Sequence, residues 1–139
     1  MNKKASLFLI FALCAFINVS AQSIKTGAEC TEDYFKFLEG KKIGIVANQS
    51  SLINNIHLVD SLKNSGFTIK KIFCPEHGFR GNEEAGATLE NSIDSLTGLP
   101  IVSLYGKKYK PSEEDLNDID LIIFDIQDVG ARFYTYIST

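Results

Sequence analysis

Two clusters of polar residues, each directly after an apolar run, contain the side chains best suited to chemistry in this sequence. The first cluster follows residues 69–73, and the second follows residues 121–124. Short buried strands that end in charged residues and glycine are typical of open parallel sheets, whose ligands bind beyond the carboxyl ends of the strands. The candidates are Glu76, His77 and Arg80 in the first cluster and Asp125, Gln127, Asp128 and Arg132 in the second.

Glu76 and His77 form the first candidate pair. A carboxyl group at the end of an apolar strand is partly removed from water, which raises its pKa and suits it to donate a proton. His77 could hold the charge of a partner or hydrogen-bond a substrate, and Gly78 lets the backbone turn sharply. The alternative interpretation is structural, because a salt bridge between Glu76 and Arg80 would close the same loop.

Asp125 and Asp128 are the acids of the second cluster. Two carboxylates three residues apart could act as base or nucleophile, or hold the hydroxyl groups of a sugar. The alternative for Asp125 is that it caps the next helix or pairs with Arg132. Asp125 alone fits that alternative slightly better, whereas the cluster as a whole, with the amide of Gln127, favours a site.

Metal and nucleotide sites are disfavoured by the spacing. The metal-ligand types present are Glu76, His57, His77 and Asp128. No His-x-x-x-His or Cys-x-x-Cys pattern occurs, and His57 is better explained as a surface or capping residue. The polar turn at 48–51 has none of the glycines that bring backbone close to a pyrophosphate, and no Gly-x-Ser-x-Gly nucleophile elbow is present.

The remaining pattern predicts the elements that would position these residues. The predicted elements are helices at 31–38 and 56–63, strands at 42–47, 68–73, 100–104 and 120–125, a long loop at 76–98, and a helix starting in 111–116 with Ser112 and Asp115 as a capping pair. Helices that alternate with nearly continuous apolar strands predict an α/β fold with a parallel sheet and right-handed crossovers.

A parallel sheet would bring the candidates together. The residues at the carboxyl ends of the four strands are Asn48, Glu76 with His77, Tyr105, and Asp125 with Asp128. Since parallel strands end at the same edge of a sheet, we expect these side chains to converge there. One antiparallel strand among the four would break this arrangement.

Residues 1–21 have the features of a cleaved secretory signal peptide. A basic start precedes an apolar run at 7–17, and the small residues at 19–21 match a cleavage site. We therefore expect a mature chain of residues 22–139 in the periplasm or outside the cell. The apolar run is shorter than the ~20 residues of a membrane span, so no stable membrane anchor is predicted. Lipid attachment at Cys14 is the weaker alternative.

The composition predicts one acidic domain. Two of the 14 Lys and Arg residues lie in the leader, so the mature chain has 12 basic and 17 acidic side chains and a formal charge of about −5. Such a chain is a poor candidate for nucleic-acid binding. Its two cysteines, Cys30 and Cys74, do not make a disulfide framework. The aromatic helical pattern at 131–137 has no cap, so we expect this sequence to be the front part of a longer protein.

Five ordered blocks resemble the exo-β-N-acetylmuramidases, a family of bacterial cell-wall glycosidases. The blocks are IVANQS at 45–50, PEHGFRG at 75–81, TGLP at 97–100, SLYG at 103–106 and FDIQDVGARFYTY at 124–136. Together they are far more specific than any single motif. Cys74 stands where a smaller residue is expected, and this departure does not touch the predicted chemistry.

The resemblance implies a Rossmann-like three-layer domain at 22–139, followed in the whole protein by a second α/β domain, with the active site between them. The implied activity is removal of terminal N-acetylmuramic acid from the non-reducing end of peptidoglycan fragments. The implied partners are muropeptides or disaccharides, and no redox or nucleotide cofactor is implied. The implied catalytic residue is Glu76, with His77, Arg80, Asn48, Gln127, Asp128 and Arg132 beside it or supporting it.

Glycoside hydrolysis commonly needs two carboxylates. Asp128 is our candidate for the second, and a tyrosine nucleophile, Tyr134 or Tyr136, or a residue of the second domain are alternatives. N-acetylmuramic acid carries a lactyl carboxylate, so we expect Arg80 or Arg132 to bind it, since arginine reads carboxylates bidentately. A non-catalytic sugar-binding module and a metal-dependent hydrolase are the competing functions.

Overall fold

The computed structural model describes residues 24–81, 92–127, 129–131 and 136 of the 139-residue chain. The predicted leader, Asp128, Arg132 and Tyr134 lie outside the described residues. The elements in chain order are a 3₁₀ turn (Gly27–Glu29), α1 (Thr31–Leu38), β1 (Lys42–Ala47), β2 (Leu52–Ile53), β3 (Ile56–His57), α2 (Leu58–Asn64), β4 (Thr68–Cys74), β5 (Ser92–Ile93), β6 (Pro100–Ser103), α3 (Glu113–Leu116) and β7 (Leu121–Asp125). Among these described helices, none has both the length and the apolar character needed to cross a bilayer.

The main sheet has five strands in the order β5-β6-β4-β1-β7. β1 pairs in parallel with β4 and β7, and β4 pairs in parallel with β6, whereas the short β5 is antiparallel to β6. The predicted α/β class with a mostly parallel sheet is therefore confirmed. The strand order reverses at β1, so the crevice in which such sheets bind ligands lies beyond the carboxyl ends of β1 and β7.

The inner strand β1 is buried on both faces, which explains its nearly continuous apolar sequence. One core cluster joins β1 to the helices through Ile43, Ile45, Leu38, Leu58, Val59 and Leu62. A second cluster contains Val46, Phe73, Val102 and Leu104, with Ile119 packed against it. Each fully buried side chain of this size contributes about 1.5–3 kcal/mol. The sheet is therefore a firm base for the loops at its carboxyl edge.

A small hairpin precedes α2 and takes the first residues of the helix predicted at 56–63. β2 and β3 pair antiparallel, and Asn54 and Asn55 between them have φ angles of 48° and 67°. Two central residues with positive φ define the type I′ turn that fits a tight hairpin, and asparagine tolerates this conformation. The helical periodicity concealed this hairpin because its strands are only two residues long.

In the described part of the loop predicted at 76–98, a short strand, β5, is joined to β6 by a tight turn. The Asp94 amide donates to the Leu99 carbonyl at 2.9 Å, and the Gly98 amide donates to the Asp94 carbonyl at 2.7 Å. Two exposed residues give no periodic pattern, so the sequence did not predict this strand.

The capping pair predicted at the start of α3 is confirmed. Ser112 Oγ accepts from the Asp115 amide at 3.3 Å, and Asp115 Oδ2 accepts from the Ser112 amide at 2.7 Å. Lys71 Nζ donates to the Asp115 carbonyl at 2.8 Å. The bond from Lys71 attaches the short helix to β4.

Candidate functional site

Four strand ends bring the two polar clusters to one edge of the sheet. The residues there are Asn48 after β1, Glu76 after β4, Tyr105 after β6, and Asp125 as the last residue of β7. We call residues 48–51 the β1 loop and residues 75–81 the β4 loop. The four strands are parallel, so both loops rise from the same edge.

A cavity of about 360 Å³ lies where the β1 loop, the β4 loop and the segment after β7 meet. Its lining residues are Asn48, Gln49, Ser50, His77, Gly81, Gln127, Val129 and Tyr136. This position is the switch point of the sheet, and the volume falls within the range of small-ligand sites. The structure thus brings together three predicted site residues, Asn48, His77 and Gln127.

Asn48 is 2 % exposed and forms the base of the β1 loop. Its Oδ1 accepts from the Ser50 amide at 3.0 Å and from Ser50 Oγ at 2.7 Å. A backbone amide can only donate, so the bond from Ser50 fixes which end of the Asn48 side chain is the oxygen. The side-chain amide of Asn48 is therefore preorganised in one orientation at the cavity wall.

The His57 ring hydrogen-bonds to the backbone of Asn48. Its Nδ1 accepts from the Val59 amide at 3.3 Å, so Nε2 carries the proton and donates to the Asn48 carbonyl at 3.0 Å. Burial lowers the pKa of His57, which keeps the ring neutral in this role. The capping interpretation of His57 is confirmed, although the residue is buried.

The β4 loop needs unusual backbone conformations. His77, Gly78 and Gly81 have φ angles of 70°, 74° and 73°. A non-glycine residue with positive φ is uncommon, and such residues cluster at functional sites. A Cβ atom on Gly81 would lie 2.9 Å from both Cβ and Cγ of Gln49. Only glycine therefore lets the β4 loop approach the β1 loop this closely.

Glu76 contacts Tyr105 at the neighbouring strand end. Hydrogen bonding to the Glu76 carboxyl group is the main reason that the pKa of Tyr105 lies above its ordinary value. The strand register explains the contact, because the Leu104 amide donates to the Cys74 carbonyl at 2.8 Å and extends the pairing of β4 with β6. Glu76 precedes His77 and is not among the lining residues of the 360 Å³ cavity.

Asp125 lies on a different surface from Gln127. It lines an apolar groove of about 380 Å³ beside α1, together with Tyr34 and Phe37. Burial raises the pKa of Asp125, and a hydrogen bond with Ser51 partly offsets this. Burial, aided by the charge of Asp125, also raises the pKa of Tyr34 to about 12. The structure thus separates two residues that the sequence analysis placed in the second polar cluster.

Arg80 pairs with two aspartates that the sequence analysis did not single out. Its Nε and Nη2 donate to Asp94 at 2.8 Å each, and its Nη1 and Nη2 donate to Asp60 at 3.0 Å each. A salt bridge between Glu76 and Arg80 is the structural alternative that the sequence suggests. In the structure, Arg80 instead pairs with Asp60 and Asp94. Four of the five N–H groups of the guanidinium are used, so the structure favours a positioning role for Arg80 over direct binding of a substrate carboxylate.

The described ranges contain no group of three or more His, Cys, Asp or Glu side chains placed to hold a metal ion. Both ring nitrogens of His57 are already hydrogen-bonded. Asp128 and Arg132, the remaining predicted site residues, lie outside the described residues.

Comparison with known proteins covers the part of the chain that holds the five blocks. The family model described as "Exo-beta-N-acetylmuramidase NamZ, N-terminal" matches residues 43–139. The peptidoglycan beta-N-acetylmuramidase NamZ of Bacillus subtilis (strain 168) is 44% identical over 119 residues, which cover 84% of this chain and 29% of that protein.

Two solved structures of DUF1343 family proteins from Bacteroides fragilis NCTC 9343 share the fold. One has 48% identity and a TM-score of 0.66, covering 79% of this chain and 27% of that protein. The other has 44% identity and a TM-score of 0.72, covering 82% and 29%. The chain spans less than a third of the length of each of these relatives. Since the family model covers most of the sequence, the chain belongs to the exo-β-N-acetylmuramidase family, as the resemblance predicted.

Proposed function

We propose that the full-length protein is a glycosidase that removes terminal N-acetylmuramic acid from the non-reducing end of peptidoglycan fragments. The observation that carries this proposal is the 44% identity to a named peptidoglycan beta-N-acetylmuramidase over 84% of the chain. The family model spans residues 43–139 and so includes the β1 loop, the β4 loop and the segment after β7, whose polar side chains line the cavity at the switch point.

The cavity suits a sugar better than an apolar ligand. Asn48, Gln49 and Gln127 offer side-chain amides, and Ser50 offers a hydroxyl group. Amides and hydroxyls can both donate and accept hydrogen bonds, as the hydroxyl and acetamido groups of N-acetylmuramic acid require. Tyr136 adds an aromatic surface to the same cavity. We therefore assign the terminal sugar to this cavity.

Glu76 is the proposed general acid. In its protonated form it would give its proton to the glycosidic oxygen as the bond between that oxygen and the anomeric carbon breaks. Water would then supply the new bond at the anomeric carbon and lose a proton to a second group, for which Asp128 is the candidate. Tyr105, hydrogen-bonded to Glu76, would hold the carboxyl group in a single orientation.

Arg132 is the proposed contact for the lactyl carboxylate of N-acetylmuramic acid. Arginine suits this role because its guanidinium matches a carboxylate bidentately. Arg80, the other candidate, already pairs with Asp60 and Asp94. We also propose export through residues 1–21, which would place the protein where peptidoglycan fragments occur.

The experiment compares the full-length protein with its Glu76→Gln variant on chromogenic β-glycosides of N-acetylmuramic acid and N-acetylglucosamine. We expect release from the N-acetylmuramic acid glycoside only. The loss in the variant should approach the usual general-acid contribution of about 10²–10⁴-fold when the leaving group is poor, and it should be smaller when the leaving group is strongly activated. Glutamine preserves the size of the side chain, so binding of the intact sugar, measured by calorimetry, should persist. Binding without release by the wild-type protein would instead indicate the non-catalytic sugar-binding module.

A further inference from the structure

Three separate chain segments meet at Arg80. We call Asp60, Arg80 and Asp94 the Asp–Arg–Asp clamp. Asp60 belongs to α2, Arg80 to the β4 loop, and Asp94 to the turn between β5 and β6. Arg80 makes a bidentate pair with each aspartate, with distances of 2.8 Å to Asp94 and 3.0 Å to Asp60. Bidentate pairs fix the direction of a guanidinium as well as its distance.

Asp94 is the most buried member of the clamp, with an exposure of 4 %. Besides Arg80 it accepts from the Thr97 amide at 2.9 Å and from Thr97 Oγ1 at 2.5 Å. The hydrogen bond from Arg80 is the main reason that the pKa of Asp94 lies far below its ordinary value. Asp94 is therefore an ionised anchor that Arg80 and Thr97 hold in place.

Ring contacts connect the clamp to the cavity. The Arg80 guanidinium lies 4.7 Å from the centre of the Phe79 ring, and that ring lies 4.4 Å from the ring of His57. His57 in turn donates to the carbonyl of Asn48 in the β1 loop. The position of Arg80 is thus coupled by contacts to both loops that line the cavity.

We propose that Asp94 is a positioning residue that acts through Arg80 to hold the β4 loop, so that Glu76 lies where it can protonate the glycosidic oxygen. The inference rests on the proposed function, because it concerns the acid of that reaction. The loop has positive φ angles at His77, Gly78 and Gly81, and such conformations persist only where neighbouring structure imposes them. A buried ion-pair cluster is weak evidence for added stability, whereas fixing one conformation is a role that such clusters can have.

The test uses the full-length protein with Asp94→Asn and two β-glycosides of N-acetylmuramic acid, one with a dinitrophenyl leaving group and one with a methylumbelliferyl group. General-acid assistance matters most when the leaving group is poor. We expect kcat to fall about 10–100-fold on the methylumbelliferyl glycoside, as for a displacement of about 1 Å, and much less on the dinitrophenyl glycoside. A loss of folded protein alone would slow both reactions by the same factor.

Two further variants make the result decisive. Asp118→Asn is the matched control, because Asp118 pairs with Lys42 and Lys70 at the opposite edge of the sheet and should leave the ratio of the two rates unchanged. Thr97→Val removes one hydroxyl donor to Asp94 while leaving the backbone amide in place. Thr97→Val should shift the ratio of the two rates in the same direction as Asp94→Asn, by a smaller factor. It replaces Asp94→Asn as the test variant if Asp94→Asn does not fold.

The Glu76→Gln variant separates the two ideas. If Glu76→Gln slows the poor leaving group selectively but Asp94→Asn and Thr97→Val slow both substrates equally, the positioning role of Asp94 is overturned and the proposed function stands. If Glu76→Gln shows no leaving-group dependence while the wild-type protein still releases N-acetylmuramic acid, Glu76 is not the acid. The assignment of Glu76 and the positioning role of Asp94 are then both wrong, whereas the glycosidase activity stands.

Discussion

Hydrogen bonds fix the orientation of individual side chains at this site. Ser50 fixes the Asn48 amide, and the Val59 amide fixes the tautomer of His57. The sequence could identify Asn48 and His77 as candidates because they follow apolar runs. It could not identify Asp94 as the partner of Arg80, because the residues are 14 positions apart and their pairing depends on how two loops fold.

His57 should make folding stability depend on pH. Burial lowers its pKa in the folded state, so below about pH 6.5, the ordinary value, the unfolded chain binds the proton more readily. The neutral His57 ring therefore contributes to the free energy of unfolding at higher pH. This contribution is lost as the pH falls through 6.5 toward the folded-state pKa. In urea unfolding, we expect His57→Gln to be less stable by about 1–2 kcal/mol near neutral pH, and this difference should shrink below pH 6.5.

All other titratable groups are present in both the wild-type protein and His57→Gln. Their titrations therefore cancel in the difference between the two unfolding free energies. Unfolding free energies that run parallel from about pH 8 to 5 would contradict the neutral, buried assignment of His57.

The elements were predictable where a strand is long and buried. β1 was predicted at the bounds that it has, and β4, β6 and β7 each differ by one residue at one end. Their apolar runs are a local property of the sequence, so no tertiary information was needed. The β2–β3 hairpin and β5 could not be predicted this way, because two-residue strands have no period and depend on their pairing partners.

The packing of the β4 loop on the β1 loop should make Gly81 intolerant of substitution. Gly81→Ala adds a Cβ atom 2.9 Å from Gln49 at a φ of +73°, whereas Gly66→Ala, at a φ of +86°, meets nothing within 4 Å. We expect the control, Gly66→Ala, to cost about 1–2 kcal/mol from backbone strain alone. Gly81→Ala should cost at least about 1 kcal/mol more.

Thermal unfolding measures the two stabilities, and sugar binding by the full-length protein gives an independent check. Gly81→Ala should also weaken binding, whereas Gly66→Ala should not. Equal destabilisation by both variants, with unchanged binding, would show that the two loops do not need this close approach.

One face of the edge strand β7 is apolar and exposed to solvent. Within the described residues β7 is the last strand at one edge of the sheet, and its Ile122 and Phe124 are 43 % and 50 % exposed. The relatives are more than three times as long as the part that this chain matches. The two-domain organisation and the position of the active site between domains stay predictions, since a second domain cannot be inferred from the packing of the first.

We propose that the full-length protein removes one N-acetylmuramic acid at a time from the non-reducing end. The most direct test incubates it with defined peptidoglycan fragments that begin with N-acetylmuramic acid and follows the products by mass spectrometry. We expect free N-acetylmuramic acid and a fragment one sugar shorter, with both products formed far more slowly by Glu76→Gln. Cleavage at internal bonds, release of N-acetylglucosamine instead, or unchanged activity in Glu76→Gln would contradict it.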